Sequence, residues 1–386
     1  AAGMGARWGR PLEAVAPLDA EAPALLTFTS GSTGQPKAAV RSHGFLRAQH
    51  AALDAHLGFG PEDVVASTLP IFVLAHLGSG VTSLIPAGDL RRPGAVEAGP
   101  ILAQFQAHGV TGLEASPAFL ERLADHAREE PFALPALRRA LTGGAPVFPR
   151  LLERFSKLAP RAALVAVYGS TEAEPIAELG FEEIGPDELG AMRAGGGLPA
   201  GTPVAEIELR VLPDRFGTPL GPWTREDFER AWLPAGAPGG GVAGGAHAVG
   251  GYLHGQGDAE TKFRVDGRVW HRTGDAGYLD ERGRLWLLGR CSARIDDERG
   301  TLYPFAVEAA LDGEPGLRRS ALVAHRGRRL LAVSFDAPQP PGRLDALKAS
   351  LAWAELDEVR ELDIPLDSRH NAKVDYPELR RLLEAD

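Results

Sequence analysis

Short apolar runs alternate with longer amphipathic stretches along most of this chain, and that alternation limits the folds open to it. Runs at 24–28, 64–68, 110–114 and 163–167 have the length of buried strands. Between them, 45–57, 117–129 and 149–158 carry apolar residues at helical spacing, and Leu151, Phe155 and Leu158 share one face of the last. A repeat of strand and helix predicts an α/β fold with a largely parallel sheet. Two glycine-rich segments interrupt it, one at 195–201 and one at 236–257, where ten of 22 residues are glycine. Glycine favours neither helix nor strand, so the second is expected to be a flexible surface loop or an irregular strand edge. Beyond it, 269–271 and 284–289 read as strands joined by a turn at 280–283. A chain of 386 residues has room for two or three domains of ~150 residues. The second is expected to start at Cys291, with strands at 320–324 and 330–335, a helix at 344–351 and a last helix opened by Pro377.

Composition removes several classes of function. A net charge of −10 speaks against a nucleic-acid surface. No run approaches the ~18 apolar residues that span a bilayer, and the first ten residues lack the apolar centre of a signal peptide. The single cysteine, Cys291, excludes an intrachain disulfide framework and a multi-cysteine zinc site, and fits a reducing cytoplasm. Neither G-x-S-x-G nor H-E-x-x-H occurs, which disfavours serine and zinc hydrolases. Only five of the 41 basic residues are lysines: Lys37, Lys157, Lys262, Lys348 and Lys373.

Four segments carry candidate chemistry. LLTFTSGSTGQPKAAV is an apolar strand followed by Thr29, Ser30, Gly31, Ser32, Thr33 and Gly34, with Lys37 just beyond. Small residues let backbone N–H groups approach phosphate oxygens, the hydroxyls add donors, and Lys37 adds a point charge. Pro36 before Lys37 and Ala38 after it rule out the Gly-Lys-Ser/Thr form of phosphate loop. The second segment, Tyr168, Gly169, Ser170, Thr171 and Glu172, follows an apolar run, and α/β sheets bind ligands at strand ends. Tyr168 suits stacking on a purine and Glu172 suits Mg²⁺, although the segment alone reads equally as an exposed acidic turn. In the third, HRTGD with GRLWLLGR beyond it, Asp275 is placed to accept ribose hydroxyls and Arg290 to reach a hydroxyl or phosphate; alone, Asp275 is a turn or cap residue. The fourth, SRHNAKVDYPEL, sets Lys373 in a short loop before the last helix, where by itself it reads as a solvated lysine.

In this order the four segments resemble the adenylate-forming superfamily of acyl-CoA synthetases, peptide-synthetase adenylation domains and luciferases, over residues 24–386. Gly143, Gly144, Ala145 and Pro146 resemble its adenine-side segment, and Gly251-Tyr252-Leu253 its preceding strand. The stretches LPIFVLAHLGSGVTSLIPAGDLRRP, HGVTGLEASPAFLERL and IPLDSRHNAKV look like the β-lactone synthetases of bacterial olefin biosynthesis. The resemblance implies a large α/β domain of the acyl-adenylate synthetase type at 1–290, incomplete at its N-terminus, and a small mobile α+β domain at 291–386. It implies ATP and Mg²⁺ as cofactors, with Thr29–Gly34 and Lys37 on the β/γ-phosphates. Thr171 and Glu172 fall to the α-phosphate and Mg²⁺, Tyr168 and the Gly144 region to adenine, and Asp275 and Arg290 to ribose. Lys373 would bridge the acyl carboxylate and the α-phosphate. The implied reaction turns a long-chain β-hydroxy acid into acyl-AMP and then, through its own hydroxyl, into a β-lactone. The alternatives are a long-chain acyl-CoA or acyl-AMP ligase and a truncated nucleotide-binding module.

The sequence also departs from the pattern. Val73 follows Pro70-Ile71-Phe72 where thioester-forming members often have His, and Ser292 stands at the hinge position. Members normally carry well over a hundred residues before the phosphate loop, against 28 here, so a fragment or a member without its first subdomain is expected. His271 is a candidate base or a core histidine, and Ile71, Phe72, Leu74 and Leu113 are acyl-pocket or core residues. Other enzymes of the same pathway are expected partners.

Overall fold

The computed structural model describes residues 16–29, 36–367 and 372–385. Strands β1 (Pro23–Thr29) and β2 (Lys37–Ser42) form a hairpin that sets Thr29 opposite Lys37. Ser30, Gly31, Ser32, Thr33 and Gly34 lie outside the described residues. Helix α1 (His43–Leu57) follows at once, because the Ser42 hydroxyl accepts from the Phe45 N–H at 3.1 Å. Gly58 ends it in the left-handed conformation that glycine adopts without strain.

The alternation predicted next is present: β3 (Val64–Ser67), α2 (Pro70–Ser79), β4 (Thr82–Leu84), α3 (Ala98–Ala107), β5 (Gly112–Ala115), α4 (Pro117–Glu129), β6 (Arg139–Gly143), α5 (Pro149–Leu158) and β7 (Ala163–Ser170). Proline stands at the start of α2, α4 and α5, where a missing N–H costs nothing. Phe105, Phe119, Leu123 and Phe155 from α3, α4 and α5 are fully buried with Leu113 of β5. Each such side chain contributes about 1.5–3 kcal/mol relative to exposure.

The chain continues through β8 (Ala173–Gly180), α6 (Pro186–Arg193), β9 (Leu198–Pro203), β10 (Ile207–Leu212), α7 (Arg225–Arg230), β11 (Gly239–Gly245), α8 (Asp258–Thr261), β12 (Lys262–Val265), β13 (Arg268–Leu279) and β14 (Leu285–Arg290). The large sheet runs β10-β11-β13-β14-β9-β8-β7-β6-β5-β3-β4, with β12 beside β13. Only β3 to β7 pair in parallel; from β8 on every pairing is antiparallel, so the sheet is mixed and not largely parallel. The reason is that β7 returns directly as β8, whereas parallel neighbours need a helical crossover.

The glycine-rich segment is the clearest correction. Six of the seven residues of β11 are buried, and the strand pairs with β10 on one side and β13 on the other. A Cβ on Gly244 would sit 2.8 Å from the Trp270 ring, and one on Gly239 would sit 2.2 Å from the Leu212 carbonyl oxygen. Glycine is required there by close approach and not by a loop.

After β14 come the short pair β15 (Ile295–Asp297) and β16 (Gly300–Leu302), then α9 (Pro304–Ala310), β17 (Leu317–His325), β18 (Arg328–Phe335), α10 (Arg343–Ser350), β19 (Glu358–Glu361) and α11 (Tyr376–Ala385). The sheet β17-β18-β19 packs Leu379 and Leu383 of α11 against Ala321 and Val323, and Val307 and Leu347 against its other face. This C-terminal region rests on the large sheet, with Leu288 and Ala276 in its core and the Arg150 N–H donating to Asp312 at 2.9 Å. Among the described residues, no helix is long and apolar enough to cross a membrane.

Candidate active site

The C-terminal ends of β6 and β7 lie side by side, with Gly143 opposite Val167. That register brings Gly144 and Ala145, which follow β6, next to Tyr168, Gly169 and Ser170. Gly144 has φ +81°, so the turn there suits glycine. Thr171 and Glu172 make the reversal from β7 into β8, and the Ser170 hydroxyl accepts from the Glu172 N–H at 3.2 Å. Arg41 of β2, buried, donates to the Thr171 carbonyl at 2.8 Å and to Gln49 at 3.1 Å, and Gln49 in turn donates to the Glu174 carbonyl at 3.2 Å. The β1–β2 hairpin is thereby fixed to the reversal.

Asp275 is the centre of a second group. It accepts from the Tyr168 hydroxyl at 2.9 Å and pairs with Arg290 at 3.2 Å, its cross-strand neighbour on β14. Its own N–H donates to the Thr273 hydroxyl at 3.1 Å, and that hydroxyl donates to the Gly241 carbonyl at 3.0 Å. Gly241 of β11 therefore anchors Thr273, which holds the Asp275 backbone. Burial, with the Asp275 charge beside it, holds the Tyr168 phenol well above its ordinary range, so it stays a neutral donor.

Glu172 is buried, which overturns the exposed-turn reading. The Tyr252 hydroxyl donates to its Oε1 at 2.6 Å. Burial works to raise its pKa, but the Tyr252 hydroxyl and the Lys262 charge help to outweigh burial, and the value stays below the usual one. The Lys37 and Lys262 ammonium groups stand 5.4 and 5.5 Å from the Tyr252 ring centroid. Among the described residues, no group of three or more His, Cys, Asp or Glu could hold a metal ion. One ionised carboxylate, at Glu172, fits Mg²⁺, which takes one or two protein oxygens and completes its shell with phosphate and water.

His271 is buried, and its Nδ1 has no partner among the described residues. Burial, reinforced by the Lys262 charge, lowers its pKa to about 3, so the ring is neutral near pH 7. Phe72 and Leu113 are buried in separate cores, whereas Leu74 is half exposed and Ile71 only partly buried, so these four do not line one pocket.

Lys373 directly precedes Val374, which bridges to Leu366, and its N–H donates to Asp367 at 2.9 Å. It is half-buried and not a fully solvated lysine. Its charge acts on Glu174, across the fold at the start of β8. Burial pushes Glu174 up to about 7; Arg41 and Lys373 oppose the rise and Glu114 adds to it. Lys373 is thus within electrostatic reach of Glu174, two residues beyond Glu172. Sequence reasoning missed Arg41, Glu174 and Lys262. Arg41 had a signal, since it lies on the same face of β2 as Lys37 at period two.

The profile of the AMP-binding enzyme family matches residues 4–252, and the chain belongs to that family. It is 33% identical to the olefin β-lactone synthetase of Stenotrophomonas maltophilia (strain K279a), over 96% of this chain and 68% of that protein. It is 32% identical to the olefin β-lactone synthetase of Xanthomonas campestris pv. campestris, over 91% of this chain and 65% of that protein. The chain thus spans about two thirds of the length of each. The O-succinylbenzoate coenzyme A synthetase MenE of Bacillus subtilis, solved with ATP and magnesium ion, shares the fold at TM-score 0.72 and 24% identity, over 95% of this chain and 70% of that one.

Proposed function

We propose that this chain activates a carboxylic acid with ATP, giving acyl-AMP and pyrophosphate. The acid is proposed to be a long-chain β-hydroxy acid. Its hydroxyl oxygen then bonds to the activated carbonyl carbon, the carbonyl–phosphate oxygen bond breaks, AMP leaves, and the hydroxyl proton passes to solvent. What supports the reading is the grouping of Tyr168, Asp275 and Arg290, the placement of Lys37 and Glu172 about Tyr252, and the electrostatic effect of Lys373 on Glu174. Likeness to two olefin β-lactone synthetases supports the second step. Mg²⁺, when bound, would neutralise phosphate charge at Glu172 and Thr171. Asp275 and Arg290 would orient the ribose, the turn at Gly144 and Ala145 would flank adenine, and Lys373 would draw the two reacting anions together.

We also propose that residues 1–290 and 291–386 are separate units that turn about residues 290–292, carrying Lys373 toward and away from the site. A cytoplasmic setting, with partner enzymes acting on the same acid, suits the one buried free cysteine. The test is to incubate the protein with ATP, Mg²⁺ and a 2-alkyl-3-hydroxy acid and to follow AMP, pyrophosphate and lactone. All three are expected without coenzyme A. AMP and thioester formed only with coenzyme A would favour the acyl-CoA ligase reading, and no AMP with any acid would leave only nucleotide binding.

A further inference from the structure

Lys262 belongs to none of the four motif segments, yet its placement is unusual for a lysine. It opens β12 directly opposite His271 on β13 and is only 9% exposed. Its Nζ has no hydrogen-bond partner among the described residues. An ammonium group taken out of water without a partner is costly, and folds hold one where a charge will arrive or where chemistry needs it.

Its surroundings show where that charge would come from. The turn from Gly257 to Lys262 is a single short helix, closed by the Thr261 hydroxyl donating to the Gly257 carbonyl at 2.7 Å. Gly257 has φ +90°, and a Cβ there would fall 2.2 Å from the Lys37 Nζ. One end of the turn therefore supports the Lys37 ammonium and the other end carries Lys262, with the Tyr252 ring between 5 and 6 Å from both. The nearby acids are already engaged: Glu172 accepts from the Tyr252 hydroxyl, and Asp258 accepts from the Tyr252 N–H at 2.9 Å. Burial lowers the Lys262 pKa to about 8, against the pull of Glu172 and Asp258, so the group is still mostly charged at neutral pH.

We infer that Lys262 is a second lysine ligand of the nucleotide's polyphosphate, acting beside Lys37 on the anion that leaves as pyrophosphate. The inference rests on the nucleotide reading above. It predicts discrimination: groups on adenine and ribose hold AMP and ATP alike, whereas Lys262 contributes only when the outer phosphates are present.

The test compares Lys262→Met, which keeps volume and removes charge, with Lys262→Arg, which keeps charge. Binding of ATP, inorganic pyrophosphate and AMP is measured by titration calorimetry at pH 7. Lys262→Met is expected to weaken ATP and pyrophosphate about tenfold or more and to leave AMP within about twofold, the scale of one charge-assisted contact. Lys262→Arg is expected to retain most of the preference for ATP. Without ligand, Lys262→Met is expected to shift the melting temperature by no more than a few degrees, because the charge lost from beside Glu172 and the Tyr252 ring is offset by the cost of burying it. Equal loss of ATP and AMP, unchanged ATP affinity, or a lower melting temperature with nonselective loss would overturn the assignment. A wild-type chain that binds neither ATP nor AMP would overturn the nucleotide reading and this one with it, whereas a wild type that binds both, with Lys262→Met unaltered, would overturn this one alone.

Discussion

The two sides of the candidate site are built differently. On the large sheet, Tyr168, Asp275, Arg290, Glu172 and Tyr252 are tied to one another by hydrogen bonds and to neighbouring strands by register. On the C-terminal side, Lys373 stands in a short loop whose backbone is held by Asp367. The first side is a preformed cradle in which several groups share each task. On the proposed function, the second concentrates its contribution in one charge on a unit proposed to turn. Single substitutions should therefore be graded on the sheet side and severe on the loop side.

The largest effect expected is that of Lys373→Ala. It should lower acid-dependent pyrophosphate–ATP exchange by about 10²–10³-fold, the scale for one charge-stabilising donor, with ATP affinity nearly unchanged. A parallel loss of ATP affinity would place the lysine in nucleotide binding instead and erase the contrast. Asp275→Asn should have a smaller effect, because Arg290 and Tyr168 remain beside the ribose region. ATP and AMP affinity should fall together by about tenfold in equilibrium binding, since the side chain would no longer offer two charged acceptor oxygens. That pattern is the opposite of the one expected at Lys262.

The smallest effect concerns stability of the C-terminal side. Glu308 is buried, accepts from the Tyr376 hydroxyl at 2.8 Å and from the Leu322 N–H at 3.0 Å, and burial pushes its pKa up to about 7. A carboxyl whose pKa is raised on folding binds its proton more tightly in the native state. Its contribution is fully present below the unfolded value near 4.5 and is lost as pH rises through about 7. Glu308 should therefore pull the melting temperature down between pH 5 and pH 8, against the buried neutral His271, which adds stability as pH rises toward 6.5. Glu308→Gln should remove its share, worth a few degrees, and leave the downward contributions of Asp312 and Glu174, which burial raises to about 6 and about 7. An unchanged slope in Glu308→Gln would remove Glu308 as its source.

Helices 43–57, 117–129 and 149–158 were legible because periodicity, proline and capping residues all act locally. Strand β11 was not, because its glycines answer to Trp270 and to the Leu212 carbonyl, which are distant in sequence or visible only once strands pair. Strand β19 was also missed: Glu358–Glu361 alternates weakly and becomes a strand by pairing in parallel with β18. Motif order marked Tyr168, Glu172, Asp275, Arg290 and Lys373, since their spacing is part of the pattern. Lys262 had no such spacing. Its faint signal was scarcity, because three of the chain's five lysines, Lys37, Lys262 and Lys373, lie in or toward this one region.

Gly195, just before β9, lies against the ring of Trp353 from the C-terminal region, so closely that a Cβ there would stand 2.7 Å from the indole carbons. Trp353 is 40% exposed, and its remaining cover includes this glycine across the junction. An indole in that position is a built-in optical gauge. The rotation proposed above would wet the ring and shift its emission to the red, a change to be read against the emission of the chain's other five tryptophans.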